Sequence, residues 1–156
     1  MQMAQDFNAN ATKILTFSIP EEENYAVLPA VPDSPYVLIV DDDEAIITVL
    51  LLLLESENYV GVGISNSKHV LPFLQQAVTK RLPAVVLLDL MMPGLSGYEI
   101  ADRLAQTEEY RHLPIIIMTA DSRVRSASGV NGAIDCVAKP FQLDSLLTKL
   151  EYYLAP

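Results

Sequence analysis

Five short apolar runs, each separated from the next by a helix-like stretch, constrain this chain more than any other feature. The runs are 36–40, 60–64, 84–88, 115–118 and 136–138. They are rich in Val, Ile and Leu and lack the alternation of a strand with one wet face, so both faces must be buried. The stretches at 43–57, 67–79, 96–107, 121–128 and 142–154 read as helices. Strand and helix therefore alternate five times. That order predicts an α/β fold: a parallel sheet with helices on both sides and right-handed crossovers. In such sheets chemistry gathers at the carboxyl ends of the strands, beside the switch in strand order.

Residues 1–35 read differently, as a largely irregular N-terminal extension. They hold the acidic run Glu21-Glu22-Glu23, a short apolar piece Ile14-Leu15-Thr16-Phe17, and Pro29, Pro32 and Pro35. The domain proper is expected over 36–156. With 20 Asp and Glu against 10 Lys and Arg, the 156-residue chain has a formal charge of -10. Such a charge repels phosphate backbones and argues against direct nucleic-acid binding. The single Cys136 excludes an internal disulfide and a cysteine-based zinc site. The longest apolar run, 45–54, is too short for a membrane span, and no basic region followed by an apolar stretch marks a secretory signal. A cytoplasmic protein with no membrane partner is expected.

The strand ends carry the chemistry. The first ends in Asp41-Asp42-Asp43, the third in Asp89, the fourth in Thr119 and the fifth in Lys139-Pro140. Two carboxylates ~4 Å apart repel by roughly 4 kcal/mol at an effective dielectric near 20, so such a cluster calls for a cation. Hard oxygen ligands suit Mg²⁺, which keeps several waters and is often shared with a phosphoryl group. A lysine and a hydroxyl nearby are what phosphoryl oxygens need during transfer. The residues alone point to a Mg²⁺-dependent phosphoryl-transfer site with a carboxylate nucleophile. Singly, each has a plainer reading: an acidic helix start at 41–44, a turn residue at Asp89, a helix cap at Thr119, a solvated lysine at Lys139.

Four stretches resemble the receiver domains of two-component response regulators. They are 37–44 (VLIVDDDE), 87–97 (LLDLMMPGLSG), 117–120 (IMTA) and 138–141 (AKPF), in the right order and on the expected strand ends. The resemblance spans about 36–154 and implies a flavodoxin-like (βα)5 sandwich with strand order 2-1-3-4-5. It implies that Asp89 accepts a phosphoryl group from a sensor histidine kinase or phosphotransfer protein. Asp42, Asp89 and the backbone carbonyl of Met91 would ligate Mg²⁺, while Asp41 holds a metal-bound water. Thr119 and Lys139 would contact phosphoryl oxygens, and the Lys139-Pro140 bond would be cis. Such a chain is not an enzyme proper: its chemistry is Mg²⁺-dependent self-phosphorylation and autodephosphorylation, and its output is contact with a downstream protein that the sequence does not name. Asp43 falls one residue into the loop and is expected to cap the first helix. His69 and His112 read as surface residues, and Met92 as a packing residue.

Three departures from the family pattern stand out. Cys136 occupies the place of the usual aromatic three residues before the lysine. Thr119 to Lys139 is about two residues short, and the Ser- and Gly-rich stretch 123–132 predicts a short, weak fourth helix. The first helix is apolar nearly all round, with Ile46, Val49, Leu50, Leu53 and Leu54 as the expected core stripe. Ile47, Leu51 and Leu52 then need a cover, either the Ile14–Phe17 segment or a homodimer contact. The last helix runs close to the end of the sequence, so the chain reads as a single-domain regulator or as a receiver cut from a longer protein. Two rival functions remain: a pseudo-receiver not switched by phosphate, favoured by Cys136, and an aspartyl-phosphate phosphatase of the haloacid-dehalogenase type. The latter needs a second Asp two residues after the nucleophile, where Met91 stands, and is set aside.

Overall fold

The computed structural model describes residues 27–156. Five strands, β1 (Tyr36–Val40), β2 (Val60–Ile64), β3 (Val85–Asp89), β4 (Ile115–Thr119) and β5 (Ala133–Ala138), form one parallel sheet in the order β2-β1-β3-β4-β5. The helices are α1 (Glu44–Ser56), α2 (Val70–Val78), α3 (Gly97–Gln106) and α4 (Leu143–Leu154). The expected strand order holds.

Alternate side chains of the central strands point to opposite layers. Tyr36, Leu38 and Val40 of β1 pack with Phe73 and Leu74 of α2 and Ile100 and Leu104 of α3. Val37 and Ile39 pack with Leu50 and Leu54 of α1 and Leu146 and Leu150 of α4. All five residues of β1 and of β4 are buried, which is why these runs show no polar alternation.

Three expectations need correction. The first concerns the fourth helix, expected over 121–128. The segment instead holds a single 3₁₀ turn, Ala127–Gly129. Its polar side chains bond locally: Asp121 accepts from the Arg123 amide at 2.9 Å, and Ser126 and Ser128 pair at 2.8 Å. Such bonds compete with the helical ladder, and the stretch has no apolar stripe to reward one. Second, β5 starts at Ala133 rather than Cys136, with a register irregularity opposite Ile115/Ile116.

The third correction is the buried face of α1. Ile47, Leu50 and Leu54 are buried, Leu51 is half-buried, while Val49 is exposed and Ile46 and Leu53 are half-buried. The cause lies on β2. A Cβ at Gly63 would stand 2.3 Å from Ile47 Cγ2, and one at Gly61 would stand 2.7 Å from Leu51 Cδ2. The two glycines make a floor into which Ile47 and Leu51 sink, rotating the helix away from the expected stripe. Leu52, the third residue expected off the core stripe and under a cover, is exposed among the described residues. The proposed cover, Ile14–Phe17, lies outside the described residues.

Local signals set the helix starts. Asp43 Oδ1 accepts from the Ala45 amide at 3.0 Å, as expected of a cap. Ser96 and Glu99 form a reciprocal capping box at α3. His112 is exposed as expected, whereas His69 is half-buried where the 3₁₀ turn Ser67–His69 enters α2. Part of the extension is also anchored: Val31 is buried, and Lys80 Nζ donates to its carbonyl at 3.2 Å and pairs with Asp33 at 3.4 Å. Among the described residues no helix is long and apolar enough to cross a membrane.

Candidate phosphoryl and metal site

Strands β1 and β3 are neighbours, and connections leave them toward opposite edges of the sheet, so a crevice opens at their carboxyl ends. Asp41 follows β1 and Asp89 closes β3. Oxygen atoms of Asp41, Asp42 and Asp89 lie within 4.8 Å of one another. Asp41 and Asp89 are buried, and Asp42 is exposed at the mouth.

The cation among these groups is Lys139, which follows β5. Its Nζ donates to Asp41 Oδ2 and stands 3.6 Å from Asp89 Oδ1, with the side chain 14% exposed. The Lys139-Pro140 bond is cis. The Lys139 amide donates to the Thr119 carbonyl at 2.7 Å, tying the ends of β4 and β5 together. Thr119 is buried, and its Oγ1 accepts from the Asp121 amide at 3.0 Å, leaving the hydroxyl proton free to donate elsewhere. The amide it caps belongs to a loop rather than to a helix, so the helix-cap reading of Thr119 does not hold.

Burial lifts the Asp89 carboxyl from 3.8 to about 6, with the Asp41 charge adding to the rise. Lys139 and the Met91 amide, 3.4 Å from Oδ1, pull the other way. Three carboxylates against one ammonium leave a surplus of negative charge inside an oxygen-only cluster. That donor set fits a hard divalent cation such as Mg²⁺. The Met91 side chain is 70% exposed and its backbone lies against Asp89, so nothing in its thioether belongs to the cluster.

Two neighbouring surfaces complete the site. Beside Thr119 a hollow of about 380 Å³ is lined by Val124, Arg125, Cys136 and Lys139. Cys136, at the position where the sequence pattern expects an aromatic, forms part of its wall. The Cys136 thiol is half-buried, and burial together with Asp135 pushes its pKa up. On the other side, Ile46 and Val49 of α1, with Pro140, Phe141 and Leu143, border an apolar depression of about 480 Å³. One residue missed from sequence also emerges: Ser67 is 2% exposed and bonded to the loop after Asp89. A serine in the polar run Ser65-Asn66-Ser67-Lys68 carries no signal that could have singled it out.

Comparison with known proteins agrees with this fold. Residues 37–151 match the response regulator receiver domain family. The chain is similar to the phosphate regulon transcriptional regulatory protein PhoB of Rhizobium meliloti, 36% identical over 124 residues, covering 77% of this chain and 52% of the relative. It is also similar to sporulation initiation phosphotransferase F of Bacillus subtilis, 34% identical over 120 residues, covering 76% and 92%. Among solved structures it resembles response regulator TrrA of Thermotoga maritima in complex with Mg(2+)-BeF, at 30% identity and TM-score 0.65, covering 77% and 99%. A receiver protein from Pseudomonas putida gives TM-score 0.68 at 27% identity, covering 78% and 99%. The chain spans about half the length of the PhoB relatives it matches. With the family match running across the whole sheet and through every strand end described above, the chain belongs to the response regulator receiver domains of two-component systems.

Proposed function

We propose that this receiver accepts a phosphoryl group on Asp89 from the phosphohistidine of a sensor histidine kinase or phosphotransfer protein, and signals through protein contacts. The observation that carries this reading is the placement of Asp89. It is a buried carboxylate at the end of β3, 3.6 Å from Lys139 Nζ and among two further carboxylates.

In the transfer, an Asp89 oxygen forms the bond to phosphorus while the phosphorus–nitrogen bond of the donor breaks. The donor imidazole leaves with the electron pair and takes a proton from solvent. Lys139 stands near enough to Asp89 to meet a phosphoryl oxygen with little movement, and the free Thr119 proton can be donated to another. Asp41, Asp42, Asp89 and the Met91 carbonyl are the groups that would hold Mg²⁺, which supplies neutralising charge for phosphoryl oxygens when bound. Water reverses the modification by hydrolysing the acyl phosphate. The apolar depression formed by α1 and Phe141 adjoins Lys139 and gives a partner helix carrying the phosphohistidine an apolar surface to rest on.

The rival reading, a pseudo-receiver, is favoured by Cys136 and by the missing helix between β4 and β5. Acetyl phosphate with Mg²⁺, followed by intact mass, separates the two. Wild type should gain one phosphoryl mass and Asp89→Asn none; an unchanged wild-type mass would favour the pseudo-receiver.

A further inference from the structure

Among the described residues four polar side chains are buried: Asp41, Asp89, Thr119 and Ser67. The first three belong to the site. Ser67 lies outside it, at the start of the 3₁₀ turn that follows β2. Its Oγ donates to the Pro93 carbonyl at 2.9 Å and accepts from the Leu95 amide at 3.0 Å. One hydroxyl therefore grips both sides of Gly94, in the loop that joins Asp89 to α3. Gly94 has φ +79°, and a Cβ there would stand 3.1 Å from Ser67 Oγ, so the turn is shaped to let the hydroxyl in. The far end of the loop is fixed too, by the Gly97 amide on the Leu90 carbonyl at 2.9 Å and by the capping box at Ser96. Between these fixed points lies Met91, whose amide rests on Asp89 Oδ1.

We propose that Ser67 is a positioning residue for the acidic site: it clamps Pro93–Leu95, holds the Met91 backbone against Asp89, and thereby sets the affinity for a divalent cation. It touches neither the cation nor the phosphoryl group. The inference rests on the reading above, in which Asp41, Asp42, Asp89 and Met91 hold Mg²⁺. Groups that orient metal ligands from behind typically change metal affinity by 10- to 100-fold when removed. Ser67 acts through a loop rather than on a ligand directly, so the lower end of that range applies.

The test is a Mg²⁺ titration of the full chain, followed by the amide chemical shifts of Asp42, Asp89 and Met91. Ser67→Ala should raise Kd about tenfold and speed hydrogen exchange at Leu95. Thr148→Ala serves as control, since it removes a comparable bond, 2.9 Å to the Asp144 carbonyl, from distant α4. It should leave Kd unchanged whatever it does to the melting temperature. Gly94→Ala, which crowds the same hydroxyl from the exposed side, should raise Kd in the same direction and stands in if Ser67→Ala does not fold. Wild type that binds Mg²⁺, with Ser67→Ala or Gly94→Ala within about twofold of it, would overturn the positioning role alone. Wild type that shows no Mg²⁺ binding would overturn the metal reading and this inference with it.

Discussion

Burial and the Asp41 charge raise the Asp89 carboxyl to about 6, so the folded protein holds that proton more tightly than the unfolded chain does. The stability this group contributes is fullest below about pH 4 and declines as pH rises from about 4 to 6. At pH 7 the ionised carboxylate is a net cost to the fold, about 1.36 kcal/mol per pKa unit before solvent screening reduces it. In metal-free buffer Asp89→Asn should therefore be more stable than wild type at pH 7, by about 1 to 2 kcal/mol after solvent screening, with the gap closing toward pH 4. Urea unfolding at the two pH values measures it; a gap that stays constant would assign the effect to something other than this proton. Cys136 shifts in the same direction. Its thiol is half-buried and its pKa is raised, so less thiolate is present at neutral pH. Alkylation at pH 8 should run well below the rate of an unhindered peptide thiol. Rapid labelling would show that the hollow beside Thr119 opens readily.

At the scale of elements, the joints between helix and strand are tighter than the helices themselves. Gly63 receives Ile47, so Gly63→Ala should destabilise the protein by about 1 to 3 kcal/mol through overpacking. Gly97 is tighter still. A Cβ there would lie 2.2 Å from the Asp89 carbonyl oxygen and 2.7 Å from Leu90 Cα, backbone atoms that cannot swing aside. Gly97→Ala should displace α3 from the end of β3, lowering both stability and phosphorylation; a variant phosphorylated at the wild-type rate would contradict that coupling. These joints also explain what could be read in advance. Strands buried on both faces announce themselves as unbroken apolar runs, as β1, β3 and β4 do, so the central sheet and the gathering of Asp41, Asp42, Asp89 and Lys139 at one rim were legible, whereas the edge strands β2 and β5 proved partly exposed. The orientation of α1 was not. A helix apolar nearly all round offers no polar face to orient it, and the deciding contacts come from Gly61 and Gly63, far along the chain. The missing helix after β4 was half legible, since Ser and Gly warned of weakness, but the local bonds of Asp121 and Ser126 that replace it leave no periodic trace. Ser67 was invisible because its burial depends on Pro93 and Leu95.

For the molecule as a whole, negative charge concentrated at one rim of the sheet links stability to cation binding. Mg²⁺ should raise the melting temperature, by the equivalent of about 2.7 kcal/mol at a hundredfold excess over Kd. Asp42→Ala should raise metal-free stability by relieving repulsion and abolish that response; a variant that still responds like wild type would remove Asp42 from the ligand set. The central claim is that Asp89, and no other group, carries the phosphoryl. Borohydride reduces an acyl phosphate to the alcohol, so treating acetyl-phosphate-modified protein should leave homoserine at position 89 in the peptide map. A phosphoryl group that resists borohydride, or a reduced residue at Asp41 or Asp42 instead of Asp89, would contradict the account.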